Sequence, residues 1–576
     1  MASVYKKIIN GKPYFYLREM ARVDGKPKMV SERYLGSAAD IAAAMDRTEA
    51  GMVPERTRHL RFGDVAAVWS LLTDLDVAAV IDEVVGARRA DAGASVGTYL
   101  ALAALGRLVQ PCSKRAFADF WAGTAGDRFT KISAKVLDHR KFWDAMHAVD
   151  ADALQEISAR LAARMIEVFD LDVSSVALDM TNFATYVDTA NERAPIAQRG
   201  KAKQKRTDLR LVGLGMVVTR AGGIPLVWHA YPGNRPDVTQ FPTLIDHLTR
   251  RYTHLIGTAA ADTAGDRGKS ATMTVVFDAG QNSTANFEHL RESGLHFVGS
   301  VPPSDCPDLL ALPASDRTPV GEDHYPGVTA IDTHRVVYGR NRRVVLTHSP
   351  TLHEAQARSF TDTTLAKAGR QLDELAATLA RGKTRRTVEA IVAEIGKITS
   401  NPWVNRVIDW ELTGEVPADR RLSWHINEQQ RTALAEEAFG KRILITDQAD
   451  WPAVDVVAAY RSQSEIEFGF RQLKDPHEVS FSPMHHWTDH NIAVHTFTCV
   501  LALQLAHLMR LTAHRAGHHL SVKALLDTLT GIEETVLIYP STGGRPKARR
   551  MTTEMSDDQQ ALHDLFTLAR WAPTTT

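Results

Sequence analysis

The chain has 576 residues, of which 44% are hydrophobic and 24% charged. That is enough for several domains at roughly 150 residues each, and the mix is that of a folded soluble protein rather than a disordered or fibrous one. Its 68 Lys and Arg balance 68 Asp and Glu, for a formal net charge of +0, which excludes a uniformly basic nucleic-acid coat but permits local basic surfaces. Cys112, Cys306 and Cys499 lie far apart in sequence, excluding a disulfide framework and paired-cysteine metal spacings. No apolar run reads as long enough to span a membrane. The N-terminal MASVYKKIINGKPYFYL lacks the apolar stretch of a signal peptide, so the expected location is the cytoplasm.

Residues 1–36 alternate apolar and polar around Gly11-Lys12-Pro13 and Gly25-Lys26-Pro27, which predicts a small antiparallel hairpin. Lys6, Lys7, Arg18, Arg22, Lys26, Lys28 and Arg33 make it basic, and a solvated edge sheet is the simpler reading of that charge. Residues 39–58 predict a short helix and a linker. Residues 63–165 read as helical, with Val65, Val68, Leu71 and Leu72 on one face and an apolar helix from Tyr99 to Val109.

Strands follow at Val173–Asp179, Leu209–Thr219, Ile224–Tyr231, Met273–Asp278 and Leu295–Val301, with helices from Asp237 to Tyr252 and from Ser283 to Glu292. Two of the β-branched runs, VSSVALDMTNF and TMTVVFDAGQNS, stop at an aspartate, Asp179 and Asp278, followed by turn residues. The carboxyl ends of strands are where an open α/β sheet presents its working groups. Between the first two strands, RGKAKQKRTDLR sets Arg199, Lys201, Lys203, Lys205, Arg206 and Arg210 against the single acid Asp208. Such a cluster suits a polyphosphate partner and salt-sensitive binding; a solvated loop is the alternative.

Short strands are predicted at Val328–Asp332, Arg335–Tyr338 and Arg343–Thr347, then helices over Leu352 to Leu379 and Thr387 to Ile398. Val404–Leu412, Leu422–Ile426 and Arg442–Thr446 read as strands again, and Asp450-Trp-Pro signals a helix start. That helix carries YRSQSEIEFGFRQLK, Tyr460 to Lys474. At about 100° per residue, Tyr460, Gln463, Glu467, Arg471 and Lys474 share one side, and Ile466, Phe470 and Leu473 a neighbouring one. A helix with such an apolar flank packs on a domain, and its polar stripe then holds one carboxylate among cations and a phenol. A solvated face is the plain alternative. Residues 490–510 form a very apolar helix expected to pack on the core. Another helix is predicted at 518–530, a strand at Thr535–Tyr539 and a basic run at Arg545–Arg550.

Tyr460, Gln463, Glu467 and Lys474 resemble the Y-x2-R-x3-E-x6-K signature of bacterial insertion-sequence transposases of the DDE class. Gln463 stands where that family has Arg, with Arg461 and Arg471 near enough to replace its charge. Together with the two aspartates, the resemblance covers about residues 165–510. It implies an α/β fold with an RNase H-like mixed sheet flanked by helices, an N-terminal β-hairpin and helical region, and a large β-rich and helical insertion. The domains implied are 1–58, hairpin and linker; 59–165, helical and DNA-end binding; 166–301 and 441–515, the two parts of the catalytic core; 302–440, the insertion; and 516–576, a C-terminal region. The resemblance also implies a catalytic and metal-binding triad of Asp179, Asp278 and Glu467 with two Mg²⁺ (or Mn²⁺) ions. Such ions sit about 3.5–4 Å apart and neutralise the attacking and leaving oxygens of a phosphodiester. Tyr460, Gln463, Arg471 and Lys474 would hold DNA beside them, with Lys201, Lys203, Lys205 and Arg206 gripping phosphates nearby.

The expected function is a DNA transposase that cuts and joins the ends of its own insertion sequence. Its partners would be inverted-repeat ends, target DNA and at least one further copy of itself, with no membrane. Its location would be the bacterial cytoplasm, with the nucleoid. A metal-dependent nuclease without strand transfer and a non-catalytic DNA-binding descendant are the alternatives; the presence of all three acids argues against the second.

Overall fold

The β-branched runs form five strands: β1 (Ser175–Thr185), β2 (Arg210–Thr219), β3 (Pro225–Pro232), β4 (Thr274–Phe277) and β5 (His296–Val301). A computed structural model describes residues 2–23, 26–50, 53–86, 93–200, 208–262, 273–383, 385–482, 484–540 and 548–574, with the backbone alone at 23, 46–50 and 252–262. β1, β2 and β3 pair as an antiparallel meander, β4 lies parallel to β1 on its other side, and β5 lies parallel to β4. The spatial order is therefore β3-β2-β1-β4-β5, the RNase H-like arrangement. Parallel neighbours need a crossover rather than a tight turn. Helix α1 (Phe241–Asp262) supplies it before β4, and α2 (Thr284–Ser293) supplies it before β5.

The sheet continues past β5. β6 (Thr318–Pro319), β7 (Thr329–Val337), β8 (Arg340–His348) and β9 (Lys441–Thr446) extend it in the order β5-β9-β8-β7-β6, all antiparallel, making nine strands. Three of these strands, β6, β7 and β8, lie within residues 302–440, the range assigned above to the insertion. The cause is in the side chains. Val344 and Leu346 of β8 and Ile443 and Ile445 of β9 join one core, while Val345 and Leu444 join another. Strands apolar on both sides belong in a sheet covered on both faces. What does form its own core is the stretch after β8, where Phe360, Leu372, Ile391, Val404, Leu434 and Phe439 pack around a two-stranded hairpin, Ile408–Thr413 with Arg421–Ile426.

Three further helices cover the sheet: α3 (Ala453–Arg461), α4 (Gln463–Lys474) and α5 (Asp489–Arg515). Alternate residues of β1 divide between two layers. Val176, Leu178 and Met180 pack with Phe241, Leu244 and Phe287 of α1 and α2; Ala177 and Phe183 pack with Ile466, Phe470 and Leu473 of α4. The helices within 63–169 share this second core with α5. α5 has 27 residues and a mean hydropathy of 1.6 over its most apolar window, so one segment does reach membrane-spanning length and composition; 94% of that window is buried inside the protein.

Two pairings were not foreseen. Strand Arg56–Arg61 pairs with Glu533–Ile538, which pairs with Ala548–Thr552, so segments far apart in sequence meet in one sheet. At the N-terminus the expected hairpin gains a third strand: Ala2–Ile9, Lys12–Val23 and Lys26–Gly36 form an antiparallel meander of their own.

Candidate active site

β1 and β4 run in parallel with Ser175 opposite Thr274, Val176 opposite Val275 and Ala177 opposite Val276. Asp179 lies two residues beyond the last of these pairs on β1, and Asp278 two residues beyond it on the other side, just past the end of β4. Asp278 directly follows β4 with an extended backbone (φ −92°, ψ 173°), and its Oδ1 accepts the Gly280 N–H at 2.6 Å. Asp179 does not end its strand, as the sequence suggested. β1 runs on to Thr185 because β2 stays paired with it that far. β4 stops at Phe277, so the β4-side edge of β1 is uncovered where Asp179 lies.

The segment from Tyr460 to Lys474 is two helices rather than the expected one. The break falls at Ser462, whose hydroxyl donates to Ala459 O at 2.6 Å, and the chain resumes as α4. The apolar flank is as predicted: Ile466, Phe470 and Leu473 are buried. The neighbouring side presents Glu467, which is exposed. Asp179, Asp278 and Glu467 line one cavity of about 440 Å³, together with Arg442, Tyr460, Arg461, Gln463 and Ser464.

Gln463 is buried, and its Nε2 donates to Val276 O at 2.7 Å and to Leu178 O at 3.3 Å. The amide is thus committed to the backbone just ahead of each aspartate, while the residue still lines the cavity. Two strands that separate at this point leave carbonyls needing a donor, and the first turn of α4 provides it. Further along α4, Gln472 meets the buried His507 of α5, whose Nε2 lies 2.6 Å from Gln472 Oε1 and whose Nδ1 lies 2.7 Å from Gly223 O. Burial pushes the His507 imidazole down to about 3, with the nearby Arg510 charge adding to the shift, so the ring is neutral at ordinary pH. A neutral ring that donates from Nδ1 accepts at Nε2, a need met when the Gln472 amide turns its NH₂ toward it.

Among the other expected site residues, Tyr460 lines the cavity, with the Arg442 guanidinium 5.6 Å from its ring centroid. Lys474 is half-buried beside the cavity rather than in its lining. Its Nζ donates to Thr181 Oγ1 at 2.6 Å, two residues along β1 from Asp179 and on the same side of the strand. Arg471 is exposed over the Phe468 ring and lies outside the lining. Lys201, Lys203, Lys205 and Arg206 fall outside the described residues. Of the two arginines that could replace a missing charge at 463, Arg461 lines the cavity and Arg471 does not. Arg442 was missed. Its only signal is an exposed cation near the start of an otherwise buried strand.

The donor set suits a hard divalent cation: three carboxylates, with hydroxyls and amides but no Cys or His in the cavity lining. Among the described residues no three His, Cys, Asp or Glu are grouped to hold an ion together, so the acids line the cavity without closing on a common point.

Comparison with known proteins gives three results. No curated protein matches. A piggyBac transposase, in a synaptic complex with hairpin DNA, aligns over 83% of this chain and 82% of its own at 9% identity, with a TM-score of 0.35. A family model described as a transposase DDE domain matches residues 167–505, more than half of the chain and the stretch that carries β1 to β9 and α1 to α4. The chain belongs to the transposase DDE domain family.

Proposed function

We propose that this transposase cuts and joins the ends of its own insertion sequence, in the branch marked by the Y-R-E-K signature, with Asp179, Asp278 and Glu467 as its catalytic acids. The observation that supports this is that Asp179 in β1, Asp278 just after the neighbouring parallel β4, and Glu467 line one cavity. The three acids would hold two divalent ions, Mg²⁺ or Mn²⁺. When bound, such ions supply charge neutralisation at the attacking and leaving oxygens of the phosphodiester.

The remaining work falls to the protein's own side chains. Arg442, Arg461 and Tyr460 present cations and a phenol to a phosphate entering the cavity. Lys474 braces β1 through Thr181 and offers a charge next to Asp179. Arg471, exposed on α4, reaches phosphates further out. Lys201, Lys203, Lys205 and Arg206 add a second phosphate grip in this reading. The helical region 59–165 reads the element's ends, and the partners are inverted-repeat ends, target DNA and a second copy of the chain. The setting is the cytoplasm and nucleoid of a bacterium.

Replacing Asp179, Asp278 or Glu467 by Ala is expected to abolish Mg²⁺-dependent cleavage and joining of inverted-repeat DNA and to preserve end binding. Wild-type cleavage in any one variant removes that residue from the triad. Cleavage without a joined product from the unaltered protein identifies a nuclease instead.

A further inference from the structure

We propose that the N-terminal three-stranded sheet is a second DNA-binding surface, gripping the phosphate backbone of duplex DNA with one face. This rests on the reading that the chain acts on DNA. The three strands pair only with one another. Residues 2–36 carry eight Lys and Arg against three Asp and Glu, in a chain whose net charge is +0. The positive charge is therefore concentrated here, and the rest of the chain is net negative.

Register assigns that charge to faces. Tyr5 lies opposite Tyr16, and Tyr16 opposite Tyr34; Lys7 lies opposite Tyr14, Ile9 opposite Lys12, and Ser3 opposite Arg18. With period-two alternation, Lys7, Lys12, Arg18 and Arg22 share this tyrosine face. From Lys12 to Arg22 it extends roughly 34 Å, about one turn of B-DNA.

The rings discriminate between nucleic-acid partners. Unpaired bases are bound by stacking on aromatic faces, but here the Tyr5 and Tyr16 rings are already engaged. Tyr5 stacks on Tyr16 at 5.5 Å between centroids, and the Arg18 guanidinium covers Tyr5 at 4.0 Å. Tyr16 also meets Tyr34 at 5.1 Å. Apart from the half-exposed Tyr34 ring, what remains to a partner is ammonium, guanidinium and phenol groups, the donors that suit phosphate oxygens. Arg18 is tied to Glu32 at 3.3 Å and acts as a brace, whereas Lys7, Lys12 and Arg22 form no ion pair with a described residue.

The test is equilibrium binding of the full chain to random-sequence duplex DNA, without divalent metal, across a salt series. The triple variant Lys7→Gln, Lys12→Gln, Arg22→Gln is expected to reduce the slope of log K against log salt by about 2 to 3, from ~0.9 per lost phosphate contact. Lys7→Arg with Lys12→Arg keeps the slope. Thermal unfolding and sedimentation of each variant accompany the titration. An unchanged slope in a folded triple variant overturns the proposal and leaves the transposase reading standing. So does a triple variant that loses self-association instead, which makes the sheet an interface between copies. If the unaltered chain shows no affinity for duplex DNA, the DNA reading itself fails.

Discussion

Gln463 occupies the signature position where an arginine was expected, and its amide binds the carbonyls of Leu178 and Val276. Through that residue the helix bearing Glu467 is tied to both strands bearing the aspartates. Gln463→Ala leaves two buried carbonyls short of a donor, an expected loss of about 1–3 kcal/mol, read by thermal unfolding. Cleavage is expected to fall further than DNA binding does, because the carboxylates lose their common frame. Gln463→Arg can restore the carbonyl bonds, since guanidinium carries five N–H groups, and adds a charge to a cavity that Gln463 already lines. It is expected to fold and to cleave better than the Ala variant. A Gln463→Arg protein no better than Gln463→Ala assigns the residue to packing alone.

At the scale of elements, the break at Ser462 divides labour between two helices. Val456 and Val457 of α3 pack with Val276 and Leu444, whereas Ile466, Phe470 and Leu473 of α4 pack with β1 and β2 residues. Phe470→Ala is expected to cost about 3–5 kcal/mol, as for other fully buried aromatics. Glu467→Ala, on the exposed side of the same helix, should remove cleavage and leave the unfolding midpoint within a degree or so of its starting value, since exposed substitutions change stability by roughly ±0.5 kcal/mol. Denaturation and cleavage of the two variants side by side check the assignment of faces. These faces were legible in the sequence because helical periodicity separates Ile466, Phe470 and Leu473 from Glu467. The five core strands were legible because each is a β-branched run between turns. The rest depended on distant partners. Nothing in KRILIT says that it pairs with both His296–Val301 and Arg340–His348. Gln463 read as solvent-facing because a helical wheel does not reveal that β4 ends beside β1 at that point. Asp179 read as a strand end because the continued pairing with β2 is set by Arg210–Thr219, more than thirty positions later.

At the scale of the whole molecule, the buried His495 and His507 and the half-buried His486 contribute to the response to acid. Burial pushes His486 and His507 down to about 3 and His495 well below its ordinary value. Between pH 6.5 and about 3 the unfolded chain binds protons that the folded chain refuses, so stability falls as pH drops through that window. Each such group contributes on the order of 1 kcal/mol per pH unit. Urea denaturation at pH 7, 6 and 5 is expected to show a steep decline, less steep in His507→Gln. An equal decline in that variant assigns the acid sensitivity elsewhere. The same long-range economy governs how the protein comes off the ribosome. β9 sits between β5 and β8 although it is made long after both. A nascent or truncated chain ending before Lys441 therefore carries both aspartates, but neither the strand that joins the two parts of the sheet nor the helix that bears Glu467. Pairings of such separation form late, so incomplete translation products hold two of the three acids on an unfinished sheet. If the three acids act together as proposed, DNA-cutting capacity is conferred only once residues 441–474 have been made.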